Sequence, residues 1–108
     1  MPSKTHTINS ILKQYISLLK KNIALDKVIL FGSYADGKAH KYSDIDVAIF
    51  SNDFNNKNEI EILQDLFRLA CTIDSRIEPI AFLPNEIKNT KYNPILKNIM
   101  KKGKIIYQ

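Results

Sequence analysis

Two aspartates stand two residues apart in Asp44-Ile45-Asp46-Val47, within a stretch that predicts a β-strand over residues 44–50. Side chains alternate between the faces of a strand, so both carboxylates would project from one face, roughly 6–7 Å apart. Ile45 and Val47 would then lie on the opposite, buried face. Like charges repel, and aspartate is a poor strand former. A divalent cation between the carboxylates would offset this repulsion, and Mg²⁺ prefers such oxygen ligands. The alternative is a surface strand whose two acids are simply hydrated.

A second motif, Gly32-Ser33, directly follows the apolar run of residues 27–31, which predicts a buried strand. Glycine allows the backbone to approach a ligand closely. If residues 33–38 open a helical turn, its N–H groups and the Ser33 hydroxyl can hold a phosphate. An ordinary strand-to-helix turn capped by serine is the alternative. Ten residues separate Ser33 from Asp44. The two strands can therefore lie side by side, with the turn and the acids at one end of a sheet.

A third carboxylate is expected, because two carboxylates underfill the coordination of two metal ions about 3.5–4 Å apart. Glu78 is the best candidate, since it lies in a third predicted strand, residues 76–83, between apolar neighbours where an unpaired acid would be costly. Asp74, in the turn before that strand, is the second choice. The structural alternative is that Glu78 pairs with Arg76 or with a lysine. Pro79 predicts an edge strand or a bulge, because proline cannot donate to a ladder.

Hydrophobic spacing predicts the elements that would position these residues. Beyond the three strands, we expect amphipathic helices over residues 7–24 and 58–72. We also expect one or two shorter helices within residues 85–102 and a terminal strand over residues 104–107. Asn58 and Glu61 resemble a helix-start box, and Asn93-Pro94 interrupts the C-terminal helices. Helices and strands alternate, so the expected fold class is α/β, or α+β, with a small sheet.

Length and composition limit the classes of protein. The chain has 108 residues, 44% hydrophobic and 25% charged, which predicts one domain over residues 1–108 and leaves no room for a separate substrate domain. No apolar run approaches the roughly 20 residues of a membrane span, and the N-terminus lacks the apolar core of a signal peptide. We therefore expect a cytoplasmic protein. The single cysteine, Cys71, excludes a disulfide within the chain, and its apolar surroundings predict a core position.

The net charge of +5 is concentrated near the C-terminus. Residues 1–84 hold eight Lys, two Arg and ten acids, whereas residues 85–108 hold six Lys against Glu86. A solvated, lysine-rich helix explains this pattern. An acidic partner or a nucleic acid docked on the segment is the functional alternative. The segment has no arginine, which argues against base recognition, so we do not expect a nucleic-acid partner.

Phe31-Gly32-Ser33, followed after ten residues by Asp44-Ile45-Asp46-Val47, resembles the signature of the DNA polymerase β-type nucleotidyltransferase superfamily. Residues 32–37 and 42–46 resemble its minimal nucleotidyltransferase (MNT) branch in particular. The resemblance covers roughly residues 28–83. It implies the polymerase β-like nucleotidyltransferase fold, a small mixed β-sheet backed by helices.

The resemblance also implies residue roles. Asp44, Asp46 and Glu78 would match the metal-binding, catalytic carboxylates and would hold two Mg²⁺ ions. Gly32 and Ser33 would match the nucleotide-binding turn that holds the triphosphate. The implied reaction transfers a nucleoside monophosphate, in our expectation AMP from ATP, to a hydroxyl group and releases pyrophosphate. Glu78 or Asp46 would take the hydroxyl proton.

Many minimal members of the branch are encoded beside a HEPN-domain protein and act as its antitoxin, in some cases by adenylylating its tyrosine. The resemblance thus implies a HEPN-type toxin as partner, and a second copy of this chain is the other candidate to hold the acceptor. A non-catalytic antitoxin on the same scaffold and a basic nucleic-acid-binding module are the alternatives. Asp36, where relatives often carry a basic residue, and the Glu78-Pro79 pair favour the non-catalytic one. Lys38 and Lys41 could compensate for Asp36.

Overall fold

The computed structural model describes residues 7–40 and 43–108. In chain order, its helices and strands are α1 (Ile8–Asn22), β1 (Leu25–Phe31), α2 (Ser33–Asp36), β2 (Ile45–Ser51), α3 (Glu59–Cys71), β3 (Ile77–Phe82), α4 (Pro94–Lys102) and β4 (Lys104–Tyr107). Two 3₁₀ segments, Asn52–Phe54 and Pro84–Tyr92, connect neighbouring elements. The predicted elements are confirmed, with ends that differ by one or two residues.

The four strands form one mixed sheet in the order β3-β2-β1-β4. β1 runs antiparallel to β2 and β4, and β2 runs parallel to β3. β3 is therefore an edge strand, which explains how it accommodates Pro79. The expected class, a small mixed sheet backed by helices, is confirmed.

Each face of the sheet packs against its own helices. On one face, strand residues including Val28, Val47 and Ile77 pack with α1 and α3 in the larger core. On the other face a smaller core of strand residues packs with α4; its buried members are Ile29, Ala48, Phe50, Phe82, Leu96 and Ile99. By strand alternation, Asp46 and Glu78 belong to this second face, which we call the α4 face.

α1 is held in the larger core by a buried stripe and by a buried hydrogen bond to α3. Thr7 caps its start, because the Thr7 Oγ1 accepts from the Ser10 N–H at 3.4 Å. Its buried residues are Ile11, Leu12, Tyr15 and Leu19. The Tyr15 hydroxyl donates to the Leu66 carbonyl of α3 at 3.0 Å. Burial raises the pKa of Tyr15, so the hydroxyl stays protonated and serves as a donor. The apolar side of α1 is thus used by the protein's own core.

α3 begins where the sequence predicts. The Asn58 side chain accepts from the N–H groups of Ile60 and Glu61, at 2.8 and 3.4 Å. The face that packs on the sheet consists of Ile62, Leu66, Leu69 and Ala70. Ile60, Leu63 and Phe67 also follow helical spacing, but they are exposed. Apolar residues cover about half of the circumference of this helix, so spacing alone did not select the face.

Cys71 is also exposed. Its predicted core position was wrong, because the residue lies at the last position of α3, outside the packed stripe of that helix. A small apolar residue at a helix end can face solvent at little cost.

We predict that Tyr15→Phe lowers the free energy of unfolding by about 1 kcal/mol, because the ring still fills the core but the bond to Leu66 is lost. Urea unfolding measures this change. Tyr92→Phe is the matched control, since Tyr92 is 78% exposed, and it should change stability by less than about 0.5 kcal/mol. Equal effects in the two variants would show that the buried bond contributes nothing.

Candidate active site

The strand register brings the predicted site segments to one end of the sheet. Phe31, which directly precedes Gly32-Ser33, pairs with Asp46, and Asp46 pairs with Glu78. β1 therefore ends where β2 and β3 begin. Neighbouring strands lie about 4.8 Å apart, so the turn and two of the acids meet within roughly 10 Å.

Gly32 makes room for Asp46. Its backbone has φ +74° and ψ −151°, which residues with a side chain rarely adopt. A Cβ atom at this position would lie 3.2 Å from the Asp46 Cγ and would overlap its Oδ2. Only glycine lets the half-buried carboxylate of Asp46 lie against the turn.

The turn leads into α2, a helix of four residues. The N–H groups of Ala35 and Asp36 donate to the Gly32 carbonyl at 3.0 and 3.1 Å. The amides of Ser33 and Tyr34 occupy the first helical positions, outside this ladder. Gly37, with φ +74°, ends the helix. The turn therefore presents main-chain donors and the Ser33 side chain next to Asp46.

The two aspartates differ in their surroundings. Asp44 is exposed and lies just before β2, whereas Asp46 is half-buried within the strand. Ile45 and Val47 are fully buried on the opposite face, as the spacing predicts. The pKa of Asp46 is raised, first by burial, then by the negative charges of Glu78 and Asp44. The charges of Glu78 and Asp44 therefore act electrostatically on Asp46.

Glu78 is exposed, so the expectation that apolar neighbours bury it was wrong. Ile77 and Pro79 on the same strand are buried, whereas Glu78 lies on the α4 face, whose buried β3 residue is Phe82 at the other end of the strand. No ion pair joins Glu78 to a cation among the described residues; Arg76 pairs with Asp74 instead, at 2.8 Å. The hydrogen bond from Arg76 lowers the pKa of Asp74. Asp74 is thus held in an ion pair with Arg76, and Glu78 stays the predicted third carboxylate.

In this conformation, no three acidic, histidine or cysteine side chains of residues 7–40 and 43–108 converge closely enough to hold a metal ion. The backbone arrangement nevertheless fits one. Asp46 is seated against Gly32, while Asp44 and Glu78 are exposed and can change rotamer. An all-carboxylate set suits Mg²⁺, whose charge would offset the mutual repulsion. Binding of a cation by all three carboxylates would require the side chains of Asp44 and Glu78 to move towards Asp46.

Arg76 and Tyr34 were not predicted as site residues. The Arg76 guanidinium donates to Tyr34 Oη of α2 at 3.3 Å, and the Arg76 carbonyl accepts from the Ile45 N–H at 2.8 Å. A signal for Arg76 exists in the sequence. It is one of only two arginines and stands two residues from Asp74 on one side and from Glu78 on the other.

The chain belongs to the polymerase β nucleotidyltransferase family, whose sequence model matches residues 13–108. The protein is thus a nucleotidyltransferase. MJ1305 of Methanocaldococcus jannaschii, provisionally named a protein adenylyltransferase, is 30% identical over 105 residues, which is 93% of this chain and 71% of that protein. The protein adenylyltransferase MntA of Shewanella oneidensis is 40% identical over 65 residues, which is 58% of this chain and 45% of MntA.

Solved structures show the same fold. A provisionally named nucleotidyltransferase from Sulfolobus solfataricus superposes with a TM-score of 0.70 at 18% identity, covering 94% of this chain and 80% of that one. A toxin–antitoxin structure with AMP-PNP superposes with a TM-score of 0.60 at 28% identity, covering 94% of this chain and 73% of the matched chain. Within residues 7–40 and 43–108, no helix is long and apolar enough to cross a membrane.

We predict that Gly32→Ala lowers nucleotidyl transfer by about a hundredfold, because the added Cβ displaces the Asp46 carboxylate. Gly37→Ala is the matched control: Gly37 has the same φ of +74°, but a Cβ there meets nothing within 4 Å. Both variants should lose about 1–2 kcal/mol of stability through backbone strain, measured by thermal unfolding. Equal losses of transfer activity in the two variants would contradict the role given to Gly32.

In metal-free protein, we predict that Glu78→Gln lowers the pKa of Asp46, and that Asp44→Asn lowers it less. Carboxyl titration by NMR measures both. Since the folded-state pKa of Asp46 is raised, the folded protein binds the proton more tightly than the unfolded chain. Stability therefore falls as the pH rises from the unfolded-state pKa through the folded-state pKa, and Glu78→Gln should reduce that fall. Glu61→Gln, on the exposed surface of α3, should change neither the pKa of Asp46 nor the pH dependence of stability.

Proposed function

We propose that this nucleotidyltransferase is an Mg²⁺-dependent protein adenylyltransferase that transfers AMP from ATP to a tyrosine hydroxyl of a HEPN-type toxin and thereby acts as its antitoxin. The observation that carries the proposal is the register that brings Gly32-Ser33, Asp46 and Glu78 to one end of the sheet. The relatives named as protein adenylyltransferases support the reaction. The toxin–antitoxin structure with AMP-PNP supports the nucleotide and the kind of partner.

The turn residues bind the triphosphate in this proposal. Gly32 lets the backbone come close to the phosphates, and Ser33 offers a hydroxyl and an amide at the start of α2. Gly32, with its positive φ, places the turn against Asp46. Phosphates bound by the turn would therefore lie beside the carboxylates.

Asp44, Asp46 and Glu78 are the proposed ligands of two Mg²⁺ ions. When bound, these ions neutralise phosphate charge and lower the pKa of the acceptor hydroxyl. Asp46 is the fixed member of the set, because Gly32 and the buried neighbours Ile45 and Val47 hold it in place. Asp44 and Glu78 are the adjustable members.

In the reaction, the acceptor oxygen forms a bond to the α-phosphorus while the bond from that phosphorus to the pyrophosphate oxygen breaks. Pyrophosphate leaves with the bonding electrons, and the hydroxyl proton passes to a carboxylate. Glu78 or Asp46 takes this proton. Glu78 is better placed, because it is exposed on the edge strand, where a hydroxyl from another protein can reach it. Positioning and charge neutralisation then account for most of the catalysis.

The acceptor is held by another chain in this proposal. Residues 1–108 would form a single minimal nucleotidyltransferase domain, in which α1, α2, α3 and α4 all contact the sheet. The six lysines of the C-terminal segment are all exposed and can face an acidic partner surface; they are Lys88, Lys91, Lys97, Lys101, Lys102 and Lys104.

The test is transfer of label from α-labelled ATP to the co-purified protein partner. Asp44→Asn/Asp46→Asn should reduce transfer by more than about a hundredfold, since even outer-shell partners of a metal site cost 10–100-fold. EDTA should abolish it. Asp26→Asn is the control, because Asp26 is exposed in β1 at the opposite end of the sheet. Transfer that persists in the double variant would contradict the proposed site.

A non-catalytic antitoxin is the second candidate. Asp36 favours it, because this exposed acid lies in α2, next to the turn that would hold a highly negative triphosphate. In that case, no α-labelled nucleoside triphosphate would transfer its label to the partner protein. The two proteins would still co-purify, and the partner would stay inhibited in the presence of EDTA. A nucleic-acid-binding module would instead show binding that weakens steeply with salt.

A further inference from the structure

The three parts of the site meet at Arg76. Its carbonyl accepts at 2.8 Å from the N–H of Ile45, the residue between the two aspartates. Its guanidinium donates at 3.3 Å to Tyr34 Oη on α2. Glu78 follows two residues later. One residue therefore contacts the start of β2 and the helix after the turn, and it belongs to the segment that carries the third carboxylate.

Asp74 fixes the direction of the Arg76 guanidinium. Nε donates to Asp74 Oδ1 at 3.1 Å and Nη2 to Oδ2 at 2.8 Å, while the Arg76 N–H also donates to Oδ1 at 2.9 Å. This two-point contact uses the planar, rigid fork of arginine, which a lysine cannot reproduce. The Arg76 side chain is 32% exposed, so the pair is partly shielded from water.

α2 depends on such outside support. With four residues it is far too short to be stable by itself. The Tyr34 ring packs against the larger core, and its hydroxyl donates to the His40 carbonyl at 3.4 Å. Tyr34 thus links α2 both to the core and to His40, four residues after the helix ends.

We propose that Asp74, Arg76 and Tyr34 form a clamp that fixes α2 and the Gly32-Ser33 turn relative to the carboxylates and thereby sets the affinity for the nucleoside triphosphate. Arg76 is a positioning residue that acts through Tyr34. The identity of the ligand rests on the proposed function, whereas the mechanical role of the clamp does not.

Amide hydrogen exchange of the metal-free protein tests the mechanical role. Tyr34→Phe keeps the ring but removes the hydroxyl, and Arg76→Lys keeps the charge but removes the fork. Both should speed exchange of the Ala35, Asp36 and Lys38 amides by about tenfold, as expected for loss of one charge-assisted bond. Amides within β2 should not change. Unchanged α2 exchange would overturn the clamp.

The chain offers a matched control in its other arginine. Arg68 pairs with Asp65 at 3.3 Å on the surface of α3 and is 67% exposed. Arg68→Lys makes the same side-chain change in an exposed ion pair on α3. It should alter neither α2 exchange nor nucleotide binding. A comparable effect from Arg68→Lys would show that the Arg76 result reflects general destabilisation.

Calorimetric binding of AMP-PNP with Mg²⁺ tests the role in affinity. Each clamp variant should raise Kd by about tenfold, and the double variant should bind no worse than Arg76→Lys alone, because both changes break one link. In transfer assays, each variant should raise the KM for ATP more than it lowers kcat. An unchanged Kd despite faster exchange would overturn the role in affinity.

One further outcome would show that Arg76 binds phosphate directly, and another would separate failure of the proposed function from failure of the clamp. If Arg76→Lys weakens binding far more than Tyr34→Phe, and the two effects add, Arg76 contacts the phosphates directly and is not a positioning residue. If the wild-type protein does not bind AMP-PNP, the proposed function and the role in affinity both fail. The exchange measurement on the free protein then still decides whether the clamp holds α2.

Discussion

The close approach of the Asp46 carboxylate to the backbone of Gly32 is the contact on which the site depends. It requires a residue without Cβ in a left-handed conformation, and it requires β1 and β2 to pair so that Phe31 faces Asp46. A shift of the register by one residue would move the carboxylate to the other face of the sheet. The phosphate-binding turn and the acids are therefore positioned by the same strand pair.

The hydrophobic layers hold this register against the repulsion between the acids. Ile45 and Val47 flank Asp46 in sequence and are fully buried on the face that packs with α1 and α3. On the α4 face, Ala48 and Phe50 continue the strand into the second core. Burial of the isoleucine, valine and phenylalanine side chains contributes about 1.5–3 kcal/mol each. The strand can therefore carry a half-buried acid, whose pKa is raised by burial and by the charges of Glu78 and Asp44.

Local patterns in the sequence were sufficient to predict the helices, the strands and the Gly32-Ser33 turn, because each depends on residues that are close together in the sequence. The errors concern tertiary surroundings. The seven apolar residues of α3 that precede Cys71 cover about half of its circumference, so their spacing alone did not select the packed face, and the same problem misplaced Cys71. Glu78 was expected in apolar surroundings, but its side chain lies on the opposite face of β3 from the buried Ile77 and Pro79, at the end of the strand away from the buried Phe82. The Asp74–Arg76–Tyr34 clamp joins residues 42 positions apart, a contact that no local pattern could predict.

The most direct measurement is diffraction at the manganese absorption edge from crystals grown with Mn²⁺ and AMP-PNP. We expect two anomalous peaks, about 3.5–4 Å apart, at the end of the sheet where β2 and β3 begin. Asp44 and Asp46 should contact both ions, and Glu78 should have changed rotamer to contact one of them. Nucleotide bound elsewhere, or metal ions that leave Asp46 uncoordinated, would contradict the assignment of this sheet end as the catalytic centre.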